Sequence, residues 1–228
     1  MNLPNLKICG ITTRETANFC AEAGVGALGT VFFKKSPRYV TASQAHAMFE
    51  ALPTHLARVG VFVNTSAEEM IAIAREADLD TVQMHGSETL SDMLRVERAG
   101  FHVVKVIAAN GEKLIQAACA LPESIGILVE CGRGPLPGGN GAEWRWAEAS
   151  PLARFRPFAV AGGLTSENFL EAANASHAHA WDVSSGVETE PGIKSHDRIR
   201  KLVETAITCP PPPFDFFWKG RDPKPSRP

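Results

Sequence analysis

Three groups of residues in this chain have types and positions suited to chemistry. Leu6-Lys7-Ile8-Cys9-Gly10 is an apolar run that carries a lysine and a thiol two residues apart and stops at a glycine. In an extended strand, side chains two apart share a face, so Lys7 and Cys9 lie together, with Cys9 as the reactive atom at the strand's end. Polar groups close other apolar runs in the same way: Gln83 with His85, Glu130 two residues after Leu128, and Asp182 two before Ser184. Lys105, between Val104 and Val106, is read as a fifth inward polar group. The third group comprises two glycine-bearing turns, Ala161-Gly162-Gly163-Leu164 and Ser184-Ser185-Gly186-Val187. Glycine lets backbone N–H groups approach an anion, which makes phosphate the natural ligand. Each feature also has a plainer reading. Free cysteines usually behave as small buried hydrophobes, Gly-Gly is common in tight turns, and Lys7, Lys105 and Asp182 could pair inside a core.

The elements that must position these groups alternate along the chain. Strands are expected at Leu6–Cys9, Ala27–Phe32, Arg58–Val63, Thr81–Met84, His102–Ile107, Gly126–Glu130, Phe158–Ala161 and Ala180–Val183. Helices fall between them, with Thr13 and Ser87 as caps and further starts at about Thr41 and at Ser66 or Ala67, and a last helix runs from about Ser195 to Thr208. A glycine-rich loop, Cys131–Gly141, precedes a helical stretch from about Trp144. Eight strands alternating with helices at near-regular spacing predict an α/β fold, a single (βα)8 TIM barrel spanning residues 1–208. An open doubly wound sheet would use fewer strands, and no Gly-x-Gly-x-x-Gly turn follows the first one. In a closed barrel the carboxyl ends of the strands form one mouth, and the loops after strands seven and eight are the habitual phosphate site.

Composition narrows the function. The 228 residues suit one barrel of the usual 200–250, and a formal net charge of -2 gives no basis for binding nucleic acid or an anionic membrane. Five scattered cysteines without a CxxC pair argue against a disulfide framework or a metal site and suit a cytoplasmic protein. Neither a signal segment nor an apolar run of about 18 residues is present, so secretion and membrane spanning are not expected.

The ordered segments Lys7-Ile8-Cys9-Gly10-Ile11-Thr12, Ser36-Pro37-Arg38-Tyr39-Val40, Val59-Gly60-Val61-Phe62-Val63-Asn64 and Val82-Gln83-Met84-His85-Gly86 form a recognisable series. It continues with Gly138-Gly139-Asn140-Gly141, Ala161-Gly162-Gly163-Leu164 and Asp182-Val183-Ser184-Ser185-Gly186-Val187-Glu188, then Pro191-Gly192-Ile193-Lys194. In these segments, from Leu6 to about Val203, the chain resembles the phosphoribosylanthranilate isomerases of tryptophan biosynthesis. The resemblance implies an Amadori rearrangement of N-(5-phosphoribosyl)anthranilate to 1-(2-carboxyphenylamino)-1-deoxyribulose 5-phosphate, by a monomer or homodimer using neither metal nor cofactor. It assigns the base to Cys9 as thiolate, with Lys7 expected to lower its pKa, and the acid to Glu130. Arg38 would meet the anthranilate carboxylate, and Gly162, Gly163, Ser184, Ser185 and Gly186 the ribose phosphate. Gln83, His85 and Asp182 would line the substrate site.

Four positions depart from the family pattern: Glu130 for aspartate, Asn140 for threonine, Trp144 for phenylalanine and Ser195 for aspartate. Glu130 matters most, because its extra CH₂ moves the carboxyl, and a misplacement near 1 Å can cost about a hundredfold in rate. Residues 209–228, proline-rich and bearing Phe214-Asp215-Phe216-Phe217-Trp218, are expected to be an extended or disordered tail whose aromatics could dock on the barrel or on a partner. Two other functions fit the same barrel: a phosphate-binding barrel without catalysis, and an isomerase of a related aminated ribose phosphate. A binding module needs neither Cys9 nor Glu130, and barrels of the latter kind generally use paired aspartates.

Overall fold

The computed structural model describes residues 3–109, 112–131, 144–209 and Trp218. Eight parallel strands close into a barrel in sequence order. They are β1 (Leu3–Cys9), β2 (Val25–Val31), β3 (Ala57–Phe62), β4 (Thr81–Met84), β5 (His102–Ala108), β6 (Gly126–Glu130), β7 (Ala159–Ala161) and β8 (Ala180–Val183). Among the described residues seven α-helices connect or follow them: α1 (Arg14–Glu22), α2 (Ala42–Phe49), α3 (Ala67–Glu76), α4 (Leu90–Arg98), α5 (Glu112–Cys119), α6 (Phe169–Ser176) and α7 (His196–Ile207). Between β6 and β7 the expected helix is a 3-10 helix, Trp146–Arg154, with Pro151 inside it. Proline cannot donate an intrahelical hydrogen bond, which disfavours a regular α-helix there. The loop containing Gly138-Gly139-Asn140-Gly141 lies outside the described residues, as does the tail apart from Cys209 and Trp218.

Strands buried on both faces have a reason to be continuously apolar. On the outer face, Ile8, Leu28, Phe62, Val82, Met84, Ile127, Val129 and Val160 pack beneath the helices. On the inner face a second, smaller cluster contains Ala27, Ala57, Val59, Val104, Leu128, Ala159, Ala161, Ala180 and Trp218. The strand register shows how the inward face is built. Asp182 pairs with Lys7 and Lys7 with Ala27. Cys9 pairs with Gly29, Gly29 with Val59, and Val61 with Gln83.

Two expectations are corrected here. The α4 cap is Thr89, which forms a capping box with Asp92; Ser87 sits in the preceding loop and hydrogen-bonds Asn64. Lys105 does not enter the barrel mouth. It pairs in register with Met84 and Ile127, both on the helix-facing side, because Val104 and Val106 are the inward residues of β5. Its ammonium instead donates to the Met84 and Gly86 carbonyls and to Glu88 Oε2 at 2.9 Å. Glu88 also accepts from the Asn64 and Gly86 backbone amides. Lys105 thus ties down the loop that holds His85. Lys105→Met leaves the buried Glu88 carboxylate without its cation and should destabilise the fold by about 3–5 kcal/mol, read as a lowered urea midpoint.

Candidate active site

Cys9 ends β1 with its thiol above Lys7 and against β2 at Gly29. A Cβ added at Gly29 would lie 2.8 Å from Cys9 Sγ and 2.9 Å from Lys7 Cε, so only glycine lets β2 pass this pair. Lys7 is fully buried and donates from Nζ to Asp182 Oδ2 at 2.6 Å. Burial disfavours the Lys7 ammonium, but the charge of Asp182, helped by Cys9, outweighs it and holds the pKa above its ordinary value. Lys7 pulls the Cys9 pKa down as expected, but the net shift is upward. Burial pushes the thiol up; Lys7 and Lys194 pull it down, Asp182 adds to the rise, and the balance stays above the ordinary value. Lys7 therefore limits the increase but does not reverse it.

Across the mouth, Glu130 Oε2 lies 2.7 Å from His85 Nε2, and both side chains are largely enclosed. Two indoles brace the neighbouring loop: Trp144 Nε1 donates to Ala161 O at 2.9 Å and Trp146 Nε1 to Gly162 O at 3.3 Å. Gly162 and Gly163 both have positive φ, +91° and +69°. Gly186 meets the same loop from β8, where an added Cβ would fall 1.8 Å from Leu164 O. Ser184 Oγ donates to Cys9 O at 3.0 Å, which joins the β8 loop to the end of β1. Gln83 Oε1 and Asp182 Oδ1 are buried acceptors with no hydrogen-bond partner among the described residues.

Arg38 is buried, and its fork is engaged: Nε and Nη2 donate to the two Glu188 oxygens at 2.8 and 2.7 Å. Nη1 is not used in that pairing, and Arg38 lines the same cavity as Cys9. Glu188 also takes a hydrogen bond from Lys194 Nζ at 2.7 Å. Burial works to raise the Glu188 pKa, but the Arg38 hydrogen bonds and the Lys194 charge hold it below the usual carboxylate range.

Cys9, Arg38, Gln83, His85, Glu130, Gly162, Gly163, Asp182, Ser184, Ser185 and Gly186 all line one cavity with an empty volume of about 790 Å³. All eleven are residues expected at the site from the sequence. Gly29, Glu188 and Lys194 are not among those expected there. A glycine inside a strand signals close approach of another group, and Pro191-Gly192 signals the hairpin of β9 (Glu188–Glu190) and β10 (Ile193–Lys194), which pairs Glu188 with Lys194.

The model of the N-(5'-phosphoribosyl)anthranilate isomerase family matches residues 6–205. The chain belongs to this family. Among relatives, the N-(5'-phosphoribosyl)anthranilate isomerase of Pseudomonas fluorescens is 40% identical over 206 residues, covering 89% of this chain and 98% of its own. That of Desulfatibacillum aliphaticivorans is 38% identical over 201 residues, 88% and 92% of the two chains. The solved isomerase of Thermotoga maritima superposes with a TM-score of 0.82 at 34% identity, covering 92% of this chain and all of that one. A phosphoribosylanthranilate isomerase solved with reduced 1-(o-carboxyphenylamino)-1-deoxyribulose 5-phosphate gives 0.80 at 33% identity, with coverage of 92% and 100%. The present isomerase catalyses the corresponding step of tryptophan biosynthesis, the rearrangement of an aldose amine to a ketose amine. Its mouth has to supply one proton, remove another and hold a phosphate. Because Gly29 leaves the thiol its place, Gly29→Ala should lower kcat by roughly a hundredfold through displacement of Cys9 and Lys7. Steady-state kinetics on protein with an unaltered melting profile measures this.

Proposed function

We propose that Cys9 removes the proton from the ribose C2 and that Glu130, paired with His85, protonates the ring oxygen. Protonation opens the furanose to a Schiff base; loss of the C2 proton gives an enolamine, which tautomerises to the ketone. The observation that carries this division is the separation of the two groups around one cavity. Cys9 stands on β1 over an ammonium, while Glu130 stands on β6 against an imidazole, with β7 and β8 between them on the shorter way round. Keeping acid and base in separate environments lets each hold its own protonation state.

The rest of the cavity fits the substrate end to end. The loops of Gly162, Gly163, Ser184, Ser185 and Gly186 take the ribose phosphate through backbone amides, as glycine-bearing turns do. The unpaired acceptors on Gln83 and Asp182 take ribose hydroxyls. Val31, Phe33, Val61 and Val63 form an apolar wall on the other side of the cavity for the anthranilate ring. Arg38, held from behind by Glu188, turns its remaining edge to the ring's carboxylate. The relative solved with a reduced product supports a ligand of this shape. The protein works in the cytoplasm, in keeping with cysteines that are all free thiols, as a monomer or as a homodimer like the Thermotoga maritima relative.

Cys9→Ser replaces a thiol by a hydroxyl that is hardly ionised near neutrality, so kcat should fall by orders of magnitude with KM little changed. Near-wild-type turnover would rule out the base. Glu130→Gln should lose about 10²–10⁴-fold, the range of general acid catalysis, whereas Glu130→Asp retains activity. Both are read as kcat/KM on phosphoribosylanthranilate. Full activity in Glu130→Gln would move the proton source to His85. Growth of a tryptophan-requiring strain that lacks this isomerase, on expression of the chain, tests the activity itself.

A further inference from the structure

Trp218 lies beyond the matched span of residues 6–205 and after the last helix, yet it is 5% exposed and packs within the inner cluster of the barrel. Five of the eight strand residues in that cluster are alanines, beside Val59, Val104 and Leu128. Ala27 lies near the start of β2, and Ala57, Ala159 and Ala180 each begin their strand, so the amino-terminal layer of the barrel is built on methyl groups. Barrels of this size are normally filled by large branched side chains of the strands themselves. Four alanines leave a space that must be filled from outside the strands if the interior is to reach ordinary packing density. The indole fills it, and its ring centroid lies 5.4 Å from Lys7 Nζ.

We propose that Trp218 is the floor of the active site: a positioning residue that seals the barrel beneath Lys7 and holds its ammonium under Cys9. The ammonium then has a partner on three sides. Asp182 meets it laterally at 2.6 Å, Cys9 stands above, and an aromatic face lies below. A ring face attracts a cation and excludes water without offering the lysine a competing hydrogen-bond acceptor. The charge of Lys7 therefore acts on Cys9 unscreened from below. This inference rests on the reading of Cys9 as the base, and its test separates the two.

The test uses the full-length chain with Trp218→Ala, Trp218→Leu and Trp218→Phe. Two quantities are measured: kcat and KM for phosphoribosylanthranilate, and the pH dependence of Cys9 alkylation by iodoacetamide. Alkylation is followed on the Cys9 peptide by mass spectrometry, because four other cysteines are present. The charged groups that act on Cys9, namely Lys7, Asp182, Lys194 and Arg38, are unchanged in every variant. Loss of the floor admits water beneath Lys7, screens its charge and removes support for the thiolate. In Trp218→Ala the alkylation midpoint should rise by on the order of 0.5–1 pH unit, and kcat should fall roughly tenfold with KM within about twofold. Trp218→Phe, which keeps a ring face, should restore both; Trp218→Leu, which keeps only bulk, should not. A folded Trp218→Ala protein with wild-type kcat and midpoint would overturn the proposal. If the alanine variant does not fold, the phenylalanine and leucine variants decide the matter, and identical midpoints in those two would overturn it. A raised midpoint with unchanged kcat would keep the floor and remove Cys9 from the chemistry.

Discussion

The active site depends on a buried ion pair in the barrel interior, Lys7 with Asp182 at 2.6 Å. Lys7 is 0% exposed and Asp182 7%, so both charges have left water almost completely. Desolvation of such a pair costs several kcal/mol per ion, and an apolar pair of similar volume would often be as stable or more so. Stability alone therefore gives the barrel little reason to keep charges there. Lys7 sits one layer below the cavity that Asp182 lines, with Cys9 above it and Gly29 beside it. It sets the electrostatic potential at the thiol from inside the protein, where solvent screens it least.

The rest of the site follows the same pattern of charged groups held by other charged groups. Glu188 holds Arg38 from behind, and Lys194 braces both Glu188 and the carbonyl of Ser184. His85 holds Glu130, and Lys105 with Glu88 fixes the loop that bears His85. The β7 and β8 loops close against one another at Gly186, where there is no room for a side chain. Groups anchored in this way need little rearrangement when substrate arrives, which is how preorganised donors and charges lower a barrier. Cys9 remains above its ordinary pKa in the absence of ligand, so the thiolate is the minority form near neutrality. With Cys9 as the base proposed above, activity should rise as pH rises towards the thiol pKa, because deprotonation of the thiol generates that base.

Much of this was legible from residue order because barrel strands are apolar on both faces and are cut by glycine and polar ends. The expected bounds of β4, β6 and β8 coincide with the observed strands. β1 begins earlier than expected, at Leu3 instead of Leu6. Lys105 was misplaced because alternation gives two faces without saying which is inward; only the register against Met84 and Ile127 decides that. Thr89 carries the Thr-x-x-Asp signature of a capping box, which outranks the nearby Ser87. The direction of the Cys9 pKa depends on burial weighed against Lys7, and that balance has no signature in the sequence. The place of Trp218 depends on the space left by four alanines on separate strands, which exists only once the barrel has closed.

The most direct measurement compares the pH dependence of kcat/KM for wild type and Lys7→Met, each confirmed to melt cooperatively. Removing the ammonium takes away the main charge that draws the Cys9 pKa down, while burial and Asp182 continue to push it up. The ascending limb should therefore move to higher pH in Lys7→Met, with activity near neutrality reduced at least about tenfold. Coincident limbs in the two proteins would contradict the claim that a buried Lys7–Asp182 pair sets up the base.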